Sequence, residues 1–505
     1  MKKGRSQKNS INRKPKIRAV DRKQMHLHPV DTERLIEGDH AARQIWHLLG
    51  RLDLGSFYAA IESEEGEAGR SAFDPRMLIS LWVYAYSRGI GSAREVSRRC
   101  EYDPAFMWLT GLQSVNAHTL SDFRVGHEEA LDELFTEVLG LLSSEGLITL
   151  ERVSHDGTKI RANASEKTFN REERIHQHLE VAREQVKSMG DPTQEPEHRA
   201  KAEARQEAAV REREQRLEKA VEELENLKKK KRRKSKPSKP KVSTSDPQAR
   251  IMKHGDGGYL PSYNVQLSVD NHSGLIAAVS VTNEESDTEQ LLPAMDRLER
   301  LYGRAPDEVL ADGAYTHYQS VSAMAEREID YYSTWRQPQA SSSQQWRGIS
   351  EEFHPSRFHY DAEEDVFTCP EGKRLRHSST RTRTNGTKAL IYRAEVAECR
   401  LCAHHERCCP RSLPVYKGRA VTRRVEPESV MSFKRKMQTE EAKEIYRQRS
   451  QYAEFPNLWV KIKIGLQQFS LRGLAKVTME AKWAALTFDI QRYLKLCPPD
   501  LPAAT

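Results

Sequence analysis

The 505-residue sequence contains no run of about eighteen apolar residues, so no segment reads as a membrane-spanning helix. Its basic amino terminus lacks the apolar block that a signal peptide needs. Apolar residues make up only 37% of the chain and charged residues 30%. That excludes one large ordinary core and implies extended solvated segments beside packed domains, roughly two to four for this length. Cysteine is also scarce. There are seven, four of them bunched between Cys399 and Cys409, a distribution that suits a metal site in a reducing cytosol better than a disulfide framework. Acidic residues are outnumbered, leaving a formal net charge of +8, which favours a polyanionic partner.

What is present divides the chain into blocks. Residues 1–25 form a Lys/Arg-rich tail that reads as disordered and able to add phosphate contacts. Residues 26–150 read as helical. Phe73-Asp74-Pro75-Arg76 opens one helix, with Asp74 as its cap and Pro75 in first position. Gly91-Ser92 opens another, and Ala117 to Arg124 falls in a third. These short helices suit either a helix-turn-helix DNA reader or an ordinary bundle. Arg94, Arg98, Arg99 and Arg124 are the candidates for phosphate contact.

The next block, 151–335, reads as a mixed α/β sheet, an α+β core, interrupted at 166–245. Val153 to Ser165 is expected to be a strand that turns at Asp156-Gly157. Within the interruption, Ile175, Leu179, Ala182, Val186 and Met189 are followed, after a break at Gly190-Asp191-Pro192, by Val210, Leu217, Ala220, Leu224 and Leu227. These are coiled-coil spacings and predict an antiparallel helical hairpin. A dense basic run from Lys228 to Lys241 follows it. Tyr263–Asp270 and Leu275–Thr282 then alternate as a β-hairpin, Asp287–Tyr302 reads as an amphipathic helix, and Glu308–Ala311 is a short buried strand ending at Asp312-Gly313. Acids at strand ends suit an open sheet, whose active groups gather at that edge.

Residues 336–445 form a cysteine-rich insertion. Cys369, Cys399, Cys402 and Cys408 can build a tetrahedral zinc site, with His404 or His405 able to replace one ligand. Carboxyl-terminal helices from about 446 to 497 complete the core. Glu454 and Lys461, seven apart, share a helix face, either as a surface ion pair or as part of a site. Pro456 fits if the helix starts near Glu454 or kinks there. If Asp156, Asp312 and Glu454 converge, three carboxylates can hold two Mg²⁺ for in-line phosphoryl transfer. Lys159 and Arg161 would then steady a nucleic-acid backbone.

These motifs resemble the DDE-type insertion-sequence transposases, which have a ribonuclease H-like core. His155-Asp156-Gly157-Thr158-Lys159-Ile160-Arg161-Ala162-Asn163-Ala164-Ser165 is similar to the family's first-aspartate motif, and Leu310-Ala311-Asp312-Gly313-Ala314-Tyr315 to its second. Tyr446, Arg449, Glu454 and Lys461 resemble its Tyr-Arg-Glu-Lys signature. The Phe73-Asp74-Pro75 helix and Thr119 to Arg124 look like the family's amino-terminal domain. Asp246 to Arg250, Tyr263-Asn264 and Asp287 also fit the pattern, as supporting residues. Two departures bear on the third acid. Pro456-Asn457 stands where a Phe-Gly-like pair is expected, and four residues separate Arg449 from Glu454 where some relatives have three. Glu480 is therefore the rival to Glu454.

The resemblance implies that Asp156, Asp312 and Glu454 bind two Mg²⁺ ions, replaceable by Mn²⁺, and that Tyr446, Arg449 and Lys461 contact DNA near the cleaved phosphate. It further implies cleavage and strand transfer at element ends, double-stranded DNA as partner and target, a homo-oligomer on DNA, no membrane, and the bacterial cytosol or nucleoid as location. A non-catalytic DNA-binding derivative and a nuclease on the same fold are the alternatives.

Overall fold

A computed structural model describes residues 29–61, 71–189, 201–232, 240–255, 257–335, 348–382, 387–410 and 417–498. The expected basic tail, the Gly190-Asp191-Pro192 break and most of the basic run after the hairpin lie outside the described residues.

The amino-terminal part is built of α1 (Ala41–Leu49), α2 (Gly55–Ala59), α3 (Pro75–Ser87), α4 (Ala93–Arg99), α5 (Pro104–Thr110), α6 (Ala117–Gly126) and α7 (Glu128–Ser144). Local chemistry sets several starts. The side chains of Asp74, Ser92, Asp103 and Asn116 each accept a hydrogen bond from a backbone N–H in the first turn. These bonds satisfy donors that the helix itself leaves without partners. Helix α3 is buried on almost every side, as expected for one that other helices surround.

Next come β1 (Arg152–Arg161), β2 (Phe169–Asn170), α8 (Glu172–Ser188), α9 (Lys201–Arg232), β3 (Val242–Ser243), β4 (Arg250–Lys253), β5 (Tyr259–Asp270), β6 (Ile276–Thr282), α10 (Leu291–Tyr302), β7 (Glu308–Ala311), α11 (Tyr318–Glu326) and β8 (Asp330–Tyr332). The main sheet runs β6-β5-β1-β7-β8, with β4 beside the start of β5 on the β6 side. Strand β5 is antiparallel to both of its neighbours, β6 and β1, while β7 and β8 run parallel to β1. A three-stranded meander extended by parallel strands makes this the mixed α+β core that the sequence predicts.

Helices α8 and α9 pair as the hairpin that the spacing predicts. Ile175, Ala220 and Leu224 are buried together with Val242, and Leu179, Ala182 and Leu217 form a second layer. The short β2–β3 ladder closes its base, and a buried Glu223–Arg250 ion pair ties α9 to the sheet.

After β8 the chain leaves the core. Strands β9 (His359–Asp361), β10 (Val366–Thr368), β11 (Arg374–Thr382) and β12 (Lys388–Ala394) precede the short helices α12 (Val396–Arg400) and α13 (His405–Cys408) and then β13 (Ala420–Val425). They make an antiparallel sheet, β13-β12-β11-β10-β9, with a small core of its own: Phe358, Phe367, Leu375, Tyr392, Ala394 and Val421. Sequence reading expects a cysteine-rich insertion here and gives no strands.

Helices α14 (Glu428–Lys436), α15 (Glu440–Ile462) and α16 (Leu474–Leu496) complete the fold. Helix α15 passes through Pro456 instead of starting near it, and the proline is buried. Helix α16 is apolar and buried along most of its length, packing between β6 and the helices α3 and α7. One continuous apolar cluster therefore joins the amino-terminal helices, the main sheet and α16.

Candidate active site

Asp156 lies inside β1, opposite Leu267 of β5, and not at a turn as the sequence suggests. Gly157 stays in the strand because it has no side chain. A Cβ there would lie 2.4 Å from Gln266 Nε2, 2.6 Å from Asp287 Oδ1 and 2.9 Å from the Tyr315 hydroxyl. The parallel pairing of β1 with β7 ends at His155 opposite Ala311. Asp156 is the next residue of β1 and Asp312 the first residue after β7, so the sheet brings the two acids close enough for the charge of Asp312 to act on Asp156. Each carboxylate accepts its following glycine's N–H, at 2.9 Å from Gly157 and 2.6 Å from Gly313.

Helix α15 covers this point. Arg449 Nη1 stands 3.9 Å from Asp156 Oδ2, and Asn457 Nδ2 donates to the same oxygen at 3.4 Å. Burial pushes the Asp156 carboxyl up to about 6, Arg449 acts against it, and the negative charges of Asp287 and Asp312 add to it. Burial lowers the Lys461 pKa, with Asp156 pulling the other way. The Asn457 side chain is buried, and its Oδ1 has no hydrogen-bond partner.

A polar network supports the strand from beneath. Lys159 Nζ and Asn264 Nδ2 donate to Asp287 Oδ1 at 2.9 and 2.6 Å, and Gln266 Nε2 does so at 2.9 Å. Burial works to raise the Asp287 pKa, but Lys159 and these hydrogen bonds outweigh it and leave it lowered. His155 is buried between Ser268 and Gln266, and burial lowers it to about 4. Asp287 sits in the loop before α10, although the sequence reading starts the helix at this residue. The alternation of Asn264, Gln266, Ser268 and Asp270 along β5 was the available signal. Polar residues at every second position usually face solvent, but here they are buried.

The other sequence candidates divide sharply. Glu454 is exposed on α15, about 60° around the helix from Asn457. Glu480 is buried elsewhere, its carboxylate accepting from the Ser470 and Leu471 amides and the Ser470 hydroxyl. Tyr446 lies beneath the Arg449 guanidinium, 5.9 Å from ring centre to carbon. Arg161, at the end of β1, is exposed, as are Arg94 and Arg98, with Arg98 paired to Glu95. Arg99 is half-buried and bonded to Glu95 and Asp103. Two candidates are already committed within the fold. Lys159 is held by Asp287, and Arg124 is 4% exposed, donating to Tyr86 and the Gly91 carbonyl beneath the Trp82 ring. The Arg124 Nε has no hydrogen-bond partner among the described residues, and with Arg94 the side chain borders an open cavity between α4 and α6.

Cys369, Cys399, Cys402, Cys408, Cys409 and His405 line one cavity of about 30 Å³ in the second sheet's domain. The Lys373 and Arg419 amides donate to the sulfurs of Cys369 and Cys399, each at 3.3 Å. Among the described residues, no three His, Cys, Asp or Glu side chains stand close enough to hold one ion, at the thiols or at the acids. At the acids, Glu454 is exposed on α15, and Arg449 provides the positive charge beside Asp156. Even so, the donor set fits a hard divalent cation, because two adjacent carboxylates, one raised by burial and by its neighbours, gain most from one.

A family described as a transposase DDE domain matches residues 368–494, and a second, described as a transposase domain (DUF772), matches residues 30–125. Both matches are to transposase families, and together they indicate a DDE-type insertion-sequence transposase. The DDE match takes in α15 with Glu454, while Asp156 and Asp312 fall outside the matched residues. Among solved structures, a chain described as a piggyBac transposase synaptic complex with hairpin DNA matches at 10% identity and a TM-score of 0.22, over 93% of this chain and 82% of that one. No curated protein matches the sequence.

Proposed function

We propose that this transposase binds the ends of its element, cleaves there and joins the ends to target DNA by in-line phosphoryl transfer. The observation that carries this is the placing of Asp156 and Asp312 close together where the β1–β7 pairing ends, under the cationic face of α15. Asp156 and Asp312 would hold divalent ions, Mg²⁺ or Mn²⁺, with Glu454 from the helix rim as the third acid. Such ions supply charge neutralisation at the attacking and leaving oxygens. The chain's own residues would do the rest. Arg449 and Lys461 face the acids and would orient the scissile phosphate, with Tyr446 supporting Arg449. Arg161, Arg94 and Arg98 remain available for more distant backbone contacts. Double-stranded DNA is the partner, and a homo-oligomer would bring two ends together.

Asp156→Asn and Asp312→Asn should each retain end binding in a gel-shift assay while abolishing Mg²⁺-dependent strand cleavage. Cleavage retained in either would end this assignment of acids. Failure of the unaltered chain to nick any DNA would favour a non-catalytic DNA-binding derivative, and preferential cutting of RNA–DNA hybrids would favour a nuclease.

The thiol cavity is the proposed place for a structural zinc, which would have to draw Cys369, Cys399, Cys402 and Cys408 inward. Metal analysis of the purified chain should find zinc, and Cys399→Ser with Cys402→Ser should remove it. A metal-free wild-type preparation that stays folded would dismiss the site.

A further inference from the structure

The second sheet has one packed face and one open face, and the open face is arginine-rich. Residues directly opposite one another in neighbouring strands share a face. Phe367, Leu375, Ala394, Tyr392 and Val421 therefore fall together, and they form the buried core. The opposite face carries Arg376 across from Arg393, and Arg381 and Arg424 on either side of Ala389. Only Ser379, Ile391 and Thr422 lie between these two rows. Along β12 the rows are four residues apart, about 13 Å.

Like charges set directly opposite each other destabilise a sheet. Asp361 lies on the same face, in line with Arg376 across Val366. Arg376, Arg381 and Arg424 are exposed, and among the described residues none of the three has a carboxylate partner. Arg374, at the edge, is paired with Glu364, and Arg393 is held by the Gly418 carbonyl. A polyanion lying across the rows would relieve the repulsion among the arginines.

Resting on the transposase reading above, we propose that this open face of β11, β12 and β13 is a second DNA-docking surface, separate from the acids, that grips the phosphate backbone of duplex DNA without reading its sequence. Arginine suits the task because its planar fork makes paired bonds to phosphate oxygens. Successive phosphates on one strand advance ~3.4 Å along the helix axis, so rows 13 Å apart (about four steps) can engage one stretch of backbone.

The test uses the full chain, a short duplex of arbitrary sequence, and EDTA to prevent cutting. Affinity is measured across a salt series. Replacing Arg376, Arg381 and Arg424 together by Ala should weaken binding and reduce the salt slope by about 2 to 3, near 0.9 for each lost contact. The same three positions as Lys should restore most of the slope, which damage to the fold would not allow. An unchanged slope in the Ala variant, with wild-type binding and nicking intact, overturns this surface and leaves the proposed function standing. Loss of binding to an RNA hairpin but not to duplex DNA overturns it as well. Absence of DNA binding and nicking by the wild type would instead sink the transposition reading itself.

Discussion

Asp156 shows how strand pairing and burial together build a site that one residue type cannot announce. Burial first, and then the charges of Asp287 and Asp312, push its pKa up from the ordinary 3.8 to about 6 in the fold. Below pH 3.8 the group is protonated in both states and contributes no difference. Between about 4 and 6 the unfolded chain has released the proton that the native state still holds, so stability falls as pH rises. Above about 6 the full cost remains, up to about 3 kcal/mol. Asp156→Asn should therefore raise the melting temperature of the metal-free protein at pH 8 and leave it nearly unchanged at pH 4. Added Mg²⁺ should stabilise the wild type at pH 8 by mass action and the variant far less. Equal melting temperatures at pH 8 without metal would show that Asp156 is solvated and not strained.

At the scale of elements, the helical hairpin and the second sheet sit outside the main core and depend on local ties. The Glu223–Arg250 pair is the clearest, with both side chains only 10% exposed. Arg250→Ala would leave a buried carboxylate without its partner, at a cost of roughly 3–5 kcal/mol. Replacing both residues together by apolar ones of similar volume should recover most of that. Denaturant unfolding of the single and double variants checks the difference, and equal losses in both would mean that packing, not charge, makes the tie. The hairpin was legible in the sequence because Leu217 and Leu224 sit one heptad apart. The second sheet was not, because β11 has a single apolar residue, Leu375, and a register shift between His377 and Ser379, so apolar and polar residues do not alternate along it.

For the whole molecule, the decisive element is α16. Trp483 is 1% exposed and donates its indole N–H to the Arg124 carbonyl in α6, so it joins the carboxyl-terminal helix to the amino-terminal helices. Trp483→Ala should cost about 3–5 kcal/mol. Because the apolar cluster is continuous, hydrogen exchange in that variant should quicken in α3 and in β6 together. Loosening confined to the amino-terminal helices would show that the two parts fold independently.

The sequence by itself determined the helical character of the amino-terminal part, the hairpin seam and the existence of β1, β5, β6 and β7, because local caps and hydrophobic spacing act over a few residues. It also supplied the two aspartates, each followed by a glycine. Only the tertiary structure decided that Asp156 lies within a strand, that Lys159 is held by Asp287, that Arg124 is buried, and that Glu480 serves the Ser470 loop. Those outcomes depend on which groups meet in the folded chain, from 10 residues apart for Ser470 and Glu480 to 128 for Lys159 and Asp287, and no local pattern encodes those meetings.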